Sequence, residues 1–305
     1  MRVVFMGTPD IAETCLRKLV ADGFEIVGVY TKPDMPKNRG MKLSMSPVKA
    51  YATAQNIPVF QPTTFREEGA VSALAALQPD VLAVVAYGKI LPQRVLDIPR
   101  LGCVNIHTSI LPLLRGPAPT QWAILRGYTE TGVTAQHMAA EMDAGDIIEI
   151  RKTAIAPQEN AQELLGRLAG IGSQLLSDTL RRFEAGTVDR SPQKHENASY
   201  APMLTKELSP IDWSKSAQEI MNHVRGLHPW PIASTQLDGK RFRIYSVCKT
   251  NKKTDAPAGT PLSICKQGLE IACGVGEVLL ITQLQADGGK RMAAADYFRG
   301  HPLKL

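Results

Sequence analysis

Several features that would place this 305-residue chain in a specialised class are missing from its sequence. It has no run of about 18 or more apolar residues, so we expect no transmembrane helix. The apolar run in MRVVFMGTPD is too short for a signal peptide. The five cysteines form no CxxC pair, so neither a disulfide framework nor a metal site is predicted. These absences indicate an ordinary globular protein, for which a reducing, cytoplasmic setting is the simplest expectation.

The glycine pattern of dinucleotide-binding proteins is missing as well. The strand pattern RVVFM at residues 2–6 is followed by GTPD, which has one glycine where the GxGxxG fingerprint needs three. A dinucleotide cofactor is therefore not expected at this turn.

The first part of the chain nevertheless has the pattern of an α/β domain. Apolar strand patterns alternate with helical spacing, and they lie at residues 2–6, 25–30, 81–86 and 102–107. A strand pair near 132–138 and 146–155 and a long helix near 160–185 follow. The alternation predicts a Rossmann-like, doubly wound and mostly parallel sheet, in which ligands bind at the carboxyl ends of the strands.

The composition changes after residue 187. The stretch 187–211 is polar and has little periodicity, which is typical of a linker. Short alternating runs broken by glycine turns follow, and they predict a small, OB-like β-barrel. We therefore divide the chain into a catalytic-type domain at 1–188, a linker at 189–206 and a barrel at 207–305. The barrel region has 13 Lys and Arg against 9 Asp and Glu, an excess that suits nucleic acid but is small enough to be incidental.

The most informative stretch is GCVNIHTSILP, residues 102–112. Asn105 and His107 are two positions apart on a predicted strand, so both side chains face the same side at its carboxyl end. A strand end whose polar groups bond the backbone would also explain them. The rigid turn that follows, with Ser109 and Pro112, favours a functional site instead.

Two further segments are ambiguous on their own. EMDAGDII, residues 141–148, reads as a tight turn before a strand, unless the fold brings one of its carboxylates to His107, where it would orient the imidazole and favour its protonated form. The segment 32–49 has five basic residues and one acidic residue. It is either a solvated charged loop or a loop that binds a polyanion.

These residues also carry a resemblance to a known family. NIHTSILPLLRGPAPTQWAI resembles the Asn-x-His signature of the folate-dependent formyltransferases, and MDAGDI resembles their Asp-x-Gly segment. FMGTPDIA, VVAYGKILP, HPWPIA and KRMAAADYFRG are similar to the members that act on methionyl-tRNA, so the resemblance spans nearly the whole chain. It implies transfer of the formyl group of 10-formyltetrahydrofolate to the α-amino group of methionine on initiator methionyl-tRNA.

The resemblance also implies roles for individual residues. The catalytic asparagine, histidine and aspartate of the family fall on Asn105, His107 and Asp143. Its folate-binding positions fall on Ser109, Ile110, Leu111 and Pro112, and in the pterin pocket on Tyr87, Gly88, Ile90 and Leu91. Its tRNA-binding positions in the basic loop fall on Arg39 and Lys42. One position departs from the family pattern, because Met203 stands where a lysine is expected.

These residue types suit formyl transfer. An attacking amine makes negative charge develop on the formyl oxygen, and preorganised donors such as the Asn105 amide and a protonated His107 stabilise that charge. Asp143 would keep His107 charged and accept the proton that the amine loses. Two alternatives remain open, a sugar-nucleotide amine N-formyltransferase that uses the same folate and a non-catalytic nucleic-acid-binding protein. We expect a monomer that binds no membrane.

Overall fold

A computed structural model describes residues 1–37 and 42–303 of the chain. The described residues form two compact units. The first consists of residues 1–119, 130–154 and 165–201, and the second consists of residues 120–129, 155–164 and 202–305.

The first unit is built on a seven-stranded sheet in the order β5-β2-β1-β6-β7-β8-β9. Its strands are β1 (Arg2–Gly7), β2 (Glu25–Tyr30), β5 (Val59–Phe60), β6 (Val81–Val85), β7 (Cys103–His107), β8 (Glu130–His137) and β9 (Ile147–Ala154). The five strands from β5 to β7 are parallel, and β8 and β9 add an antiparallel edge. The predicted α/β fold with a mostly parallel sheet is confirmed.

The helices of this part of the chain follow the strands as an α/β pattern requires. They are α1 (Asp10–Ala21), α2 (Pro47–Ala54), α3 (Glu68–Ala75), α4 (Gln93–Leu96), α5 (Pro119–Leu125) and α6 (Ala161–Ala185). Two short strands, β3 (Met35–Lys37) and β4 (Lys42–Ser44), form an antiparallel pair at the basic segment.

Burial explains why the central strands are apolar throughout. All five residues of β6 are at most 4% exposed, since a parallel strand in the middle of such a sheet is covered on both faces. Asn105 is the half-buried exception within β7. The buried core of the sheet therefore fixes the position of β7, and with it the polar side chain of Asn105.

The second unit contains a six-stranded antiparallel sheet in the order β10-β11-β14-β13-β12, with β15 on β14. Its strands are β10 (Ala233–Leu237), β11 (Lys240–Lys253), β12 (Pro261–Cys265), β13 (Gly268–Cys273), β14 (Glu277–Ala286) and β15 (Met292–Ala293). Two helices, α7 (Ala217–Gly226) and α8 (Ala294–Gly300), add Ile220, Val224 and Phe298 to its core.

The antiparallel β-region was predicted, but the closed barrel was wrong. Within the described residues the end strands β10 and β12 do not pair with each other, so the sheet stays open. The physical reason is that α7 and α8 bury the apolar face of the sheet, which a barrel would bury by closing on itself. The alternation of apolar and polar residues along a strand is the same in a closed barrel and in an open sheet covered by helices, so it does not distinguish them.

Residues 1–37 and 42–303 contain neither a membrane-spanning helix nor a cluster of metal ligands. No helix in these ranges combines the length and the apolar character that crossing a bilayer requires. The same ranges have no group of three or more His, Cys, Asp or Glu side chains arranged to hold a metal ion. All five cysteines are free thiols.

Candidate active site

The two residues that the strand pattern selected, Asn105 and His107, lie at the carboxyl end of β7. Asn105 and His107 face the same side of the sheet, and β8 pairs with them in register, Asn105 with Gln136 and His107 with Thr134. Because paired residues of an antiparallel ladder point to the same face, Gln136 and Thr134 lie beside the two predicted side chains. Four polar groups are therefore collected at one strand end.

Asp143 lies within reach of both predicted partners. Its Oδ1 accepts a hydrogen bond from Gln136 Nε2 at 3.1 Å and a longer one from Asn105 Nδ2 at 3.4 Å. Its Oδ2 accepts from the Gly116 backbone N–H at 2.8 Å. Three N–H groups from three different segments thus fix the position of this carboxylate.

The His107 ring is oriented by two oxygens. Its Nε2 lies 2.9 Å from the Leu114 carbonyl oxygen. A carbonyl can only accept, so Nε2 carries a proton and donates. The other ring nitrogen, Nδ1, lies 3.6 Å from Asp143 Oδ1, and the side chains of both residues are largely buried. Because Nε2 is already bonded, Nδ1 is the ring nitrogen that can interact with the Asp143 carboxylate or with a substrate.

The turn after β7 holds the residues that the resemblance relates to folate. Ser109 is buried and its Oγ donates to the Leu113 carbonyl at 2.6 Å. Thr134 Oγ1 donates to the Ser109 carbonyl and accepts from the Leu111 N–H. The polar groups of Ser109 and Leu111 therefore shape the turn itself, while Ile110 and Pro112 stay half-buried.

The proposed pterin residues follow β6. Tyr87 and Leu91 are buried in one apolar cluster with Tyr30, whereas Gly88 and Ile90 are exposed. Burial raises the pKa of Tyr30 to about 12, and burial together with Tyr30 raises the pKa of Tyr87. The hydroxyl groups of both tyrosines are buried without a hydrogen-bond partner among the described residues. Both hydroxyl groups therefore stay neutral inside the apolar cluster at the carboxyl ends of β2 and β6.

The two residues predicted to bind tRNA, Arg39 and Lys42, fall in or next to a segment outside the described residues. Arg39 is outside the described residues. Lys42 begins β4, but its side chain is outside them too. Near this segment, Met35, Leu43 and Met45 are exposed, at 55% or more of their surface.

Sequence reasoning missed three residues that support the site. Gln136 was within a predicted strand, and its alternation with Thr134 was a readable signal. Arg115 and Gln193 gave no such signal. They are 78 positions apart, and no local sequence pattern predicts a contact over that distance. Gln193 lies in the predicted linker, yet residues up to Ala201 belong to the first compact unit.

One thiol lies on the same strand as the candidate residues. Burial, with a smaller effect of Asp97, raises the pKa of Cys103 to about 12. The protonated thiol is a poor nucleophile at neutral pH, so Cys103 is not a candidate for covalent chemistry.

Gly116 is required by the geometry that holds Asp143. Its φ is +111°, and a Cβ at this position would lie 2.8 Å from the Ala201 carbonyl oxygen. We predict that Gly116→Ala lowers the free energy of unfolding by about 1–3 kcal/mol, since strained backbone costs that much.

Denaturant unfolding measures this effect, and Gly166→Ala is the matched control. Gly166 is exposed within α6, and a methyl group added there would meet no other atom within 4 Å, so alanine should raise stability by about 0.5–1 kcal/mol. Equal stability of Gly116→Ala and the unsubstituted protein would contradict the strain argument.

The chain is similar to known proteins over most of its length. The family described as "Formyl transferase" matches residues 1–180, and "Formyl transferase, C-terminal domain" matches residues 203–302. A methionyl-tRNA formyltransferase of Clostridioides difficile is 44% identical over 100% of this chain and 98% of its own. That of Acetivibrio thermocellus is 46% identical over 99% and 97% of the two chains.

Solved structures share the fold at lower identity. An N-formyltransferase from Helicobacter canadensis, in complex with folinic acid and dTDP-3-aminofucose, has a TM-score of 0.70 at 19% identity, covering 92% of this chain and 98% of its own. HypX from Aquifex aeolicus in complex with tetrahydrofolic acid has a TM-score of 0.66 at 18% identity, covering 98% and 47%. Such identities show the fold alone. On the sequence matches, the chain belongs to the formyl transferase family and, within it, to the methionyl-tRNA formyltransferases.

Proposed function

We propose that this protein transfers the formyl group of 10-formyltetrahydrofolate to the α-amino group of methionine on initiator methionyl-tRNA. The observation that carries the proposal is the approach of an amide, an imidazole and a carboxylate at the end of β7, with Asp143 Oδ1 3.4 Å from Asn105 Nδ2 and 3.6 Å from His107 Nδ1. The full-length similarity to methionyl-tRNA formyltransferases supports the choice of substrates.

Asn105 and His107 act as donors in this reaction. An amide nitrogen has two N–H groups, so the long bond from Asn105 to Asp143 leaves one N–H for the formyl oxygen. The His107 Nε2–H is already donated to the Leu114 carbonyl, so Nδ1 is the atom that donates when the ring is protonated. Both donors stabilise the negative charge that develops on the formyl oxygen.

Asp143 has two tasks in the proposal. Its Oδ1, 3.6 Å from Nδ1, holds the imidazole ring in place, and it accepts, directly or through a water molecule, the proton that the attacking amine loses. The bond from the amine nitrogen to the formyl carbon forms as the bond from that carbon to N10 of the folate breaks. N10 then takes up a proton, and tetrahydrofolate leaves.

The residues around β6 fit a folate. The buried rings of Tyr30 and Tyr87 belong to one apolar cluster, which would form the inner wall of the pocket. Ile90, 81% exposed, and the half-buried Ile110 and Pro112 would cover the apolar faces of the ligand. We assign Ser109, Leu111, Gly88 and Leu91 to the shape of this pocket.

The remaining assignments concern the tRNA and the organisation of the chain. Residues 1–188 would form the catalytic domain, 189–206 a linker, and 207–305 a tRNA-binding domain. Arg39 and Lys42 would contact tRNA phosphates from the basic segment. The protein would act as a monomer in the cytoplasm, where translation initiates.

The donor role of His107 is tested by His107→Ala. Loss of one preorganised donor typically costs about 3 kcal/mol, so kcat for formyl transfer should fall about 10²- to 10³-fold or more. The measurement is transfer of labelled formyl from 10-formyltetrahydrofolate to methionyl-tRNA at a temperature where the variant is folded, with tRNA binding as the control that should stay near normal. Near-normal turnover of the variant would remove His107 from the mechanism.

The phosphate contact of Arg39 is tested by the salt dependence of methionyl-tRNA binding. Arg39→Ala should weaken binding and reduce the slope of log K against log salt by about 1, because one counterion-releasing contact is lost. Lys152→Ala is the control, since Lys152 is an exposed cation on β9 that is already paired with Glu130. A slope as steep as that of the control would argue against a phosphate contact.

A further inference from the structure

Arg115 is buried to an unusual degree for a charged side chain. It is 1% exposed and is the largest fully buried side chain among the described residues. A buried guanidinium is costly unless its N–H groups have acceptors. The acceptors are supplied chiefly by one residue, because Arg115 Nε and Nη2 both donate to Gln193 Oε1, at 3.2 and 2.7 Å.

Two further side chains, His195 and Glu141, lie near the Arg115 guanidinium. Nη2 lies 3.2 Å from His195 Nδ1, which must be the acceptor because arginine only donates. Nη1 lies 3.6 Å from Oε1 of Glu141, a residue whose side chain is 64% exposed. Neither group contacts Asp143, so the link from the Arg115 side chain to the site runs through Gln193.

Gln193 connects Arg115 to the segment that holds Asp143 through hydrogen bonds. Because its oxygen accepts from Arg115, the orientation of its amide is fixed, and Nε2 must donate. Its two N–H groups donate to the Gly145 carbonyl at 2.7 Å and to the Asp143 carbonyl at 2.9 Å, and Gln136 Oε1 lies 3.3 Å from Nε2. Gln136 in turn donates to Asp143 Oδ1 at 3.1 Å.

The segment needs such support because its own backbone is strained. Asp143 has a φ of +53°, in the left-handed region that costs a residue with a side chain free energy. Gly145 packs so closely that a Cβ would collide with the His137 carbonyl. Two carbonyls of this turn are satisfied by one amide, so removing that amide leaves buried acceptors unpaired.

We propose that Arg115 and Gln193 form a positioning clamp that sets the place of the Asp143 carboxylate relative to His107. The clamp holds the Asp143 backbone through Gln193 and its carboxylate through Gln136. It acts on the rate of the chemical step and not on substrate binding. This inference rests on the proposed function, in which Asp143 and His107 act together.

Gln193→Glu separates the clamp from a merely structural role. The substitution keeps the oxygen that accepts from Arg115 and removes the N–H donors to the turn. Misplacing a reacting group by about 1 Å can cost about 10²-fold in rate, so kcat should fall about that much in Gln193→Glu and Gln193→Leu, with little change in either KM. Gln174→Leu is the matched control, because Gln174 is exposed on α6 and, within the described part of the chain, donates only to Asp178.

A second readout needs no substrate. In full-length protein labelled with ¹⁵N-histidine, the His107 Nδ1 resonance should move in both Gln193 variants and stay in place in the control. If Gln193→Leu does not fold, Gln136→Met removes the donor to the carboxylate and the 3.3 Å contact with Gln193 Nε2, but leaves the bonds from Gln193 to the two turn carbonyls. It should shift the same resonance and lower kcat.

The outcomes separate the two proposals. Normal kcat in folded Gln193→Glu, or an unmoved His107 resonance in every folded clamp variant, would overturn the clamp. If the unsubstituted protein does not formylate methionyl-tRNA but the resonance still moves, the proposed function is wrong and the clamp stands.

Discussion

The site depends on how one carboxylate is held. Asp143 would be a mobile side chain on a surface turn if three N–H groups, from Gly116, Gln136 and Asn105, did not converge on its two oxygens. These donors come from the turn after β7, from β8 and from β7 itself, so the carboxylate joins three segments that are distant in sequence. Its position next to the His107 ring follows from their packing, and no single segment determines it.

The rest of the first unit makes that convergence possible. The apolar parallel strands fix β7, the β7–β8 register places Gln136 beside Asn105, and the Leu114 carbonyl sets the proton on His107 Nε2. The glycines at 116 and 145 allow backbones to approach where a Cβ would collide. Buried polar groups of this kind stabilise one arrangement strongly because leaving any of them unpaired is costly.

Much of this was predictable, and the limits have physical causes. Period-two spacing predicted that Asn105 and His107 share a face, and the family resemblance selected Asp143 over Asp146. The capping box of Ser216 and Glu219 was a readable signal for α7 that the β-rich interpretation overlooked, and that helix is one reason why the sheet stays open. Arg115 and Gln193 were not predictable, because their pairing depends on a tertiary contact and a polar stretch is typical of a linker.

The central claim is that His107 and Asp143 act as one unit, and a double-mutant cycle on kcat tests it most directly. The measurement compares His107→Ala, Asp143→Ala and the double variant in formyl transfer to methionyl-tRNA. Residues that act as a unit give strongly non-additive losses, so the double variant should be about as slow as the slower single variant. Losses that multiply in the double variant would show that the two side chains act independently and would contradict the account.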